Sequence, residues 1–326
     1  MKKYILLFAL TMTAVIFGCT GGQKSLKKFT IAVVPKGTTH AFWKSIYAGA
    51  TKAANDYKGQ GVDINLIWKG PLREDDREQQ IQVVEGFVSQ GVDGIVLAPL
   101  DRVALARPIE EAKRAGIPSV IMDSGLDSDQ ITSFVATDNK KGGMLAADRL
   151  GEVLGGKGKV IMLRYAEGSA STTDREEGFL QEIKAKYPGI ELISTDQYAG
   201  ATRDTAKRAS ENLLQRFGGD VNGIFTPNES ASVGMLLALQ DINKAGTVTF
   251  VGFDATPQFV EAMKNNQMQG IVVQNPFAIG ELGVKTMVDS LLGKAVEKRI
   301  DTGVMIITPE NMNSPEAQKL LNPPIG

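Results

Sequence analysis

The side chains most often used for thiol, metal and acid–base chemistry are scarce in this chain of 326 residues, which has one cysteine, Cys19, and one histidine, His40. A disulfide needs two cysteines, and a structural zinc site usually needs four ligands drawn from cysteine and histidine. Both are therefore excluded within a monomer, and a thiol or Ser-His hydrolase is disfavoured. The formal net charge is −1, and the basic residues are interleaved with acids, as on a solvated surface rather than a nucleic-acid-binding face.

The cysteine ends an N-terminal segment that has the pattern of an export signal. Two lysines precede an apolar run from Tyr4 to Phe17, which is shorter than the about 20 residues needed to span a bilayer. The run leads into Gly18-Cys19, a small residue followed by a thiol, and this junction resembles the lipobox of bacterial lipoproteins. The resemblance implies a signal peptide over residues 1–18 and a lipid anchor on Cys19.

The residues after Cys19 predict a flexible connection to the folded part of the protein. Residues 20–28 are small, polar and basic, which is typical of a tether, so residues 19–28 are interpreted as a lipidated linker and folding is expected to begin near Phe29. Acyl chains would hold the protein at a membrane surface. The alternative is an ordinary signal peptide with an incidental cysteine, and both alternatives predict export to the periplasm or cell surface.

From Phe29 onward, short apolar runs rich in β-branched residues alternate with amphipathic stretches. Most of the runs are apolar throughout, which is typical of strands covered on both faces of a parallel sheet. In the stretches between them, apolar residues recur three and four positions apart, as in helices with one buried face. The predicted strands are Phe29–Val34, Val62–Trp68, Gly94–Ala98, Pro118–Met122, Phe134–Thr137, Val160–Leu163, Glu191–Ser194, Gly223–Thr226, Phe250–Phe253 and Gly270–Gln274.

This alternation predicts right-handed βαβ units in doubly wound sheets. Ten or more strands fit two lobes of five or six better than one sheet, and no long linker divides the halves. The expected fold class is therefore α/β, with two doubly wound parallel-sheet lobes joined by a hinge of several crossing strands. Such sheets bind ligands outside the carboxyl ends of their strands, which is where the cleft is expected.

Segments at those strand ends resemble, in order, the type I periplasmic sugar-binding proteins. The segments are Thr30–Lys36 followed by Phe42-Trp43, Asp93–Pro99, Gly116–Ser124, Thr137–Gly143, Phe225–Glu229, Val251–Asp254 and Val273-Gln274. Proteins that bind ribose, rhamnose and a furanone-like autoinducer are the most similar groups. The resemblance implies a first lobe of residues 29–136 plus 275–304 and a second lobe of residues 137–274 plus 305–326.

The resemblance also implies which side chains meet the ligand. Lys36 corresponds to a contact with ligand oxygens, Phe42 and Trp43 to stacking rings, and Asp123 to an acceptor for ligand hydroxyl groups. The full predicted set is Lys36, His40, Phe42, Trp43, Asp123, Ser124, Thr173, Asp174, Arg175, Asn228, Glu229, Asp254 and Gln274.

Structural roles are open for several members of this set. Phe42 has the helical spacing of a core residue, and Asp254 could cap a helix beginning at Thr256. Lys36 and His40 could be ordinary surface residues. Each of these four side chains therefore carries two interpretations.

The pattern departs from that of ribose binders at three positions. Ser124 stands where they carry arginine, Thr173 stands at a second arginine position with Arg175 nearby, and Ala201 stands near an aromatic position that Tyr198 could fill. These departures disfavour ribose itself. A polyhydroxylated ligand stays favoured, because carboxylates and amides bond hydroxyl groups and aromatic rings cover the C–H faces of a sugar.

The function implied is capture of a sugar or sugar-like molecule between the lobes and its delivery to an ABC-type permease, by a monomer that needs no cofactor or metal. A transcriptional regulator with similar lobes would need an N-terminal helix-turn-helix, and a signal segment stands there instead. A carbohydrate hydrolase would use paired carboxylates, whose separation a sequence does not give. A receptor that reports to a membrane sensor has the same composition, so transport and signalling are both open.

Overall fold

The computed structural model describes residues 26–323, so the predicted signal peptide and Cys19 lie outside the described residues. The strands are β1 (Lys27–Val34), β2 (Val62–Trp68), β3 (Gly94–Leu97), β4 (Ser119–Met122), β5 (Ser133–Ala136), β6 (Lys157–Met162), β7 (Gly189–Ser194), β8 (Gly223–Phe225), β9 (Thr249–Phe253), β10 (Gly270–Gln274), β11 (Arg299–Asp301) and β12 (Val304–Ile307). The helices are α1 (Ala41–Gly59), α2 (Arg77–Gln90), α3 (Ala106–Arg114), α4 (Asn139–Val153), α5 (Ala170–Lys186), α6 (Arg203–Phe217), α7 (Glu229–Asp241), α8 (Pro257–Lys264), α9 (Pro276–Leu291) and α10 (Pro315–Leu321). None of these helices is long and apolar enough to cross a membrane.

The strands form two six-stranded sheets, ordered β11-β5-β4-β3-β1-β2 and β12-β10-β9-β8-β6-β7. The sheet that contains β1, together with its helices, is the first lobe, and the sheet that contains β6, together with its helices, is the second lobe. Neighbouring strands run parallel, except that β12 is antiparallel to β10. The predicted fold class, two doubly wound α/β lobes, is confirmed.

Strand β1 shows why the strands are apolar on both faces. Successive side chains of a strand point to opposite sides of the sheet, and four consecutive residues of β1 are fully buried. Ile31 and Val33 pack with α1 and α9 on one face, while Ala32 and Val34 pack with α2 and α3 on the other. Burial of this apolar area, at about 25 cal/mol per Å², holds each sheet between two helical layers.

The second lobe has the same construction around β6. Ile161 belongs to the cluster formed with α6, α7, α8 and α10, whereas Val160 and Met162 belong to the cluster formed with α4 and α5. In each lobe the carboxyl ends of the parallel strands lie along one edge of the sheet, which is where the cleft is predicted.

The chain passes between the sheets three times, after β5, after β10 and between β11 and β12. Strands β11 and β12 are additional to the ten predicted strands, because three or four residues are too short to show a period. Strand β12 belongs to the second sheet and begins at Val304, which is the last residue of the range predicted for the first lobe. Strand β1 begins at Lys27, because Lys27 and Lys28 pair with Val62 and Asp63 of β2, so the last residues of the predicted tether are part of the sheet.

Candidate functional site

A cavity lies between the carboxyl ends of the strands of the two lobes. Ten of the thirteen predicted ligand-binding residues line it, together with four residues that were not predicted. The predicted lining residues are Lys36, His40, Phe42, Trp43, Asp123, Arg175, Asn228, Glu229, Asp254 and Gln274. The additional ones are Glu74, Tyr165, Ser171 and Thr172.

Two buried carboxylates occupy matching positions in the two lobes. Asp123 follows the last residue of β4 and Asp254 follows the last residue of β9. Both have left-handed backbone conformations, with φ of 62° and 69°. Such conformations are uncommon outside glycine and tend to persist at functional sites. Each turn aims its carboxylate from a strand end into the shared cavity.

The Asp254 carboxylate is held by two hydrogen bonds from its own lobe. Gln274 Nε2 donates to Oδ1 at 2.7 Å and the Glu229 backbone N–H donates to Oδ2 at 3.0 Å. Burial raises the pKa of Asp254 to about 6, although the charge of Arg175 and the bond from Gln274 act in the opposite direction. Helix α8 is capped by the Thr256 side chain, so the interpretation of Asp254 as its cap is wrong.

Arg175 brings a cation to the cavity from the first turns of α5. Its Nε donates to Asn139 Oδ1 at 2.8 Å, its Nη1 donates to the Pro227 carbonyl at 2.9 Å, and the guanidinium lies 3.9 Å from the centre of the Phe253 ring. The residue is 2% exposed. Burial lowers the pKa of Arg175, and the nearby charge of Asp254 opposes that effect. The guanidinium is therefore fixed in position.

Close contact between α4 and α5 sets the position of this arginine. A Cβ atom at Gly143 of α4 would lie 1.9 Å from the Arg175 carbonyl oxygen, and one at Gly178 of α5 would lie 2.1 Å from the Lys140 carbonyl oxygen. Both positions therefore need glycine. Gly143 belongs to a segment that carries the family resemblance, and the helix contact is its physical role.

The helical period of α5 separates the residues that line the cavity from those that do not. Ser171, Thr172 and Arg175 share one face, since residues three and four apart are neighbours on a helix, and all three line the cavity. Thr173 and Asp174 do not line the cavity, because they fall on other faces. The Thr173 hydroxyl donates to a backbone carbonyl one turn back at 2.9 Å, and Asp174 is exposed.

Ser124 and Lys36 join the two lobes. The Ser124 hydroxyl oxygen accepts the Ser171 N–H at 3.1 Å, so Ser124 lies behind the lining rather than in it. Lys36 Nζ reaches Ser169 Oγ and Ser171 Oγ, both at 3.2 Å, and Asp123 Oδ2 at 3.5 Å. These contacts match the three donors of an ammonium group. Lys36 is 3% exposed, which rules out an ordinary surface role.

Aromatic side chains come to the cavity from both lobes. Phe42 is half-buried at the cavity, and its ring meets the ring of Trp43 edge-on, with the ring centres 5.0 Å apart. Tyr165, just beyond the end of β6 in the second lobe, also lines the cavity. Tyr198 is 42% exposed and does not line the cavity, so its suggested aromatic role is wrong. The strand-end position of Tyr165 is a signal that could have identified it.

Glu74 is a cavity residue that was not predicted from the sequence. It lies in the charged run Arg73–Arg77, a composition that is typical of an exposed loop. Its Oε1 accepts from Trp43 Nε1 at 2.5 Å and lies 2.9 Å from His40 Nδ1, and its Oε2 accepts from the Tyr165 hydroxyl. Burial acts to raise the pKa of Glu74, but the hydrogen bond and charge of His40 bring it down to about 2. Burial likewise acts to lower the pKa of His40, and Glu74 reverses that effect, so the pKa of His40 is raised.

Two buried acceptor atoms at the cavity have no hydrogen-bond partner among residues 26–323. They are Glu229 Oε2 and Gln274 Oε1. Glu229 Oε1 is already paired with Arg203 at 2.6 Å, and Asn228 caps α7 by accepting the Ala231 N–H at 3.2 Å. A buried acceptor left without a donor costs about 1–3 kcal/mol. The cavity is therefore arranged to receive hydrogen-bond donors.

Two doubly wound lobes that enclose a polar cavity at their strand ends define a class of protein, the two-lobed solute-binding proteins. The chain belongs to the periplasmic binding protein domain family, which it matches over residues 31–295.

Similar proteins include the ribose import binding protein of Haemophilus influenzae, which is 31% identical over 308 residues, covering 94% of this chain and 100% of that protein. The D-allose-binding periplasmic protein of Escherichia coli is 30% identical over 298 residues, covering 89% and 92%. A carbohydrate transporter solute-binding protein from Agrobacterium radiobacter, solved in complex with D-arabinose, is 32% identical with a TM-score of 0.85, covering 91% of this chain and 100% of that one. An Agrobacterium vitis ABC transporter solute-binding protein with bound D-fucose is 34% identical with a TM-score of 0.84, covering 90% and 100%.

Proposed function

We propose that this protein is an exported solute-binding component of an ABC importer that captures one sugar or sugar-like polyol between its lobes. The observation that carries the proposal is the cavity in which Glu229 Oε2 and Gln274 Oε1 are buried acceptors that need donors. Sugar hydroxyl groups supply such donors on several sides of a small ring. The similar proteins, which are named for ribose import, D-allose binding and carbohydrate transport, support the same conclusion.

Within this proposal the lining residues divide by chemistry. Asp123, Asp254 and Glu229 accept hydrogen bonds from ligand hydroxyl groups, and Arg175 donates to ligand oxygens in charge-assisted bonds. Phe42 covers an apolar C–H face of the ring. Because each unmatched polar group is costly in a closed cavity, the site is expected to discriminate between stereoisomers.

The proposal extends to the location of the protein and to its partner. Lipidation of Cys19 would keep the binding protein beside its permease in the membrane. Delivery to a permease is favoured over a purely sensory role, because the similar proteins include ones named for import. We propose that the bound sugar is released unchanged, as transport requires.

A thermal-shift panel tests the ligand class. Purified protein is heated with D-ribose, D-allose, D-arabinose, D-fucose, xylitol or myo-inositol, with amino acids and nucleosides as the contrasting set. A sugar at 100 times its Kd should stabilise the folded state by about 2.7 kcal/mol. For a protein of this size, that stabilisation should raise Tm by several degrees. Stabilisation by amino acids or nucleosides alone would contradict the proposal, as would chemical conversion of the bound sugar.

A further inference from the structure

A hydrogen bond between the buried side chains of Glu74 and Tyr165 spans the cleft, in addition to the contacts of Lys36 with Ser169 and Ser171. Glu74 follows β2 in the first lobe and Tyr165 follows β6 in the second lobe, and the Tyr165 hydroxyl donates to Glu74 Oε2 at 2.5 Å. Glu74 is 9% and Tyr165 1% exposed. We propose that Glu74 is a positioning residue for lobe closure, which holds Tyr165 and thereby seals one wall of the cavity. The proposal deepens the proposed function. It rests on that function only for the measurement of sugar affinity.

Glu74 is fixed by its own lobe before the second lobe meets it. Trp43 Nε1 donates to Oε1 at 2.5 Å, and His40 Nδ1 lies 2.9 Å from the same oxygen. Both partners belong to the start of α1, within four residues of each other. With Oε1 engaged in this way, Oε2 is presented toward the second lobe. Closure of the lobes then completes the arrangement by adding only the Tyr165 hydroxyl.

Glu74 also forms part of the boundary between neighbouring cavities. It lines the central cavity and two outer pockets at the edges of the cleft, and Tyr165 lines the central cavity and one of these outer pockets. The Glu74–Tyr165 bond therefore stands between the central cavity and a larger outer pocket. Loss of the bond would connect these spaces and admit water to the polar site.

The role assigned to Glu74 is distinct from that of a ligand contact. Its two oxygens are occupied by Trp43, His40 and Tyr165, whereas Glu229 and Gln274 offer free acceptor atoms to the same cavity. Removal of the bond from either side should therefore loosen lobe closure, and Glu74→Ala also takes away the acceptor of Trp43 and the partner of His40. Tyr165→Phe removes one hydroxyl and keeps the ring, and Glu74→Ala removes the acceptor.

The test is a double-mutant cycle with the full-length protein. Glu74→Ala, Tyr165→Phe and the double variant are titrated with the panel sugar that binds the wild type, and Asp75→Ala serves as a matched control because Asp75 is an exposed neighbour of the same charge. Each single variant should weaken binding by about tenfold or more. The double variant should be little weaker than the worse single one, because the two changes remove one interaction. Unchanged affinity in Tyr165→Phe, or fully additive losses, would overturn the proposal.

A second readout works without sugar. Spin labels at Lys113 and Lys264, exposed residues of the first and second lobes, report the distribution of distances between the lobes. Both variants should shift this distribution toward the open form, while Asp75→Ala leaves it as in the wild type. If no panel sugar binds the wild type, the proposed function fails, and the distance distribution alone decides the role of Glu74. Identical distributions in all variants would then overturn it.

Discussion

Replacing Asp254 by asparagine is expected to weaken sugar binding by about 100-fold or more, while the protein stays folded. Asparagine tolerates the left-handed backbone found at this position, so the turn after β9 is retained. The amide, however, places an NH₂ group where a carboxylate oxygen now accepts from Gln274 or from the Glu229 backbone. Two donors would face each other, and charge-assisted bonds to sugar hydroxyl groups would be lost.

The same substitution is expected to make the stability of the sugar-free protein less dependent on pH. Burial raises the pKa of Asp254 from 3.8 to about 6, so the folded state favours the protonated form. For this group, stability therefore declines as the pH rises from about 4 to above about 6, because the unfolded chain ionises first. Asparagine does not titrate, so this part of the decline should be absent from the variant. The measurement is Tm between about pH 4 and pH 7.5 together with sugar affinity, and Asp220→Asn on the exposed surface is the control.

Sugar binding should depend on pH through the same carboxylate. Hydroxyl groups that donate to Asp254 favour its ionised form and lower its pKa, so binding near pH 6 is expected to release a proton. Affinity should then fall as the pH is lowered from 7 to 5, and this dependence should be smaller in Asp254→Asn. Wild-type affinity in the Asp254→Asn protein would refute the assignment of this residue to the site.

Replacing Arg175 by methionine is expected to destabilise the protein by about 3–5 kcal/mol, the usual cost of removing one partner from a buried charged network. Asn139 Oδ1 and the Pro227 carbonyl would lose their donors, and Asp254 would lose a nearby cation. Methionine keeps an unbranched, polarizable side chain over the Phe253 ring. The loss therefore reports the polar contacts of the guanidinium more than its packing.

Urea denaturation of the sugar-free protein measures this effect. Arg208→Met on the exposed surface of α6 is the matched control, and its free energy of unfolding should change by less than about 0.5 kcal/mol. Sugar binding should also be lost in Arg175→Met, even at temperatures where the variant is folded. A free energy of unfolding equal to that of the wild type would show that the guanidinium is not the fixed cation described above.

Strand-end chemistry was the most predictable part of the site. A short apolar run followed by a polar residue marks both a buried parallel strand and the edge where its carboxyl end emerges. The pattern predicted the strand ends, and the family resemblance of the segments there implied ligand contacts at Asp123, Asp254 and Gln274, which line one cavity. Their convergence follows from the doubly wound topology, since parallel strands present these ends on the same side.

Residues whose position depends on helical phase or on a loop were less predictable. The family resemblance implied Thr173, Asp174 and Arg175 together as one polar stretch. A helix turns about 100° per residue, however, so Ser171 and Thr172 line the cavity with Arg175, and Thr173 and Asp174 do not. Glu74 lies in a charged loop whose composition predicts an exposed surface. Only its three-dimensional contacts with Trp43 and Tyr165 distinguish it from its exposed neighbours.

A crystal structure of the protein with its stabilising sugar tests the central claim most directly. The account predicts one sugar in the cavity between the lobes, with hydroxyl groups within hydrogen-bond distance of Glu229 Oε2 and Gln274 Oε1 and with the ring against Phe42. A sugar bound elsewhere, with those two acceptors still unpaired, would contradict it.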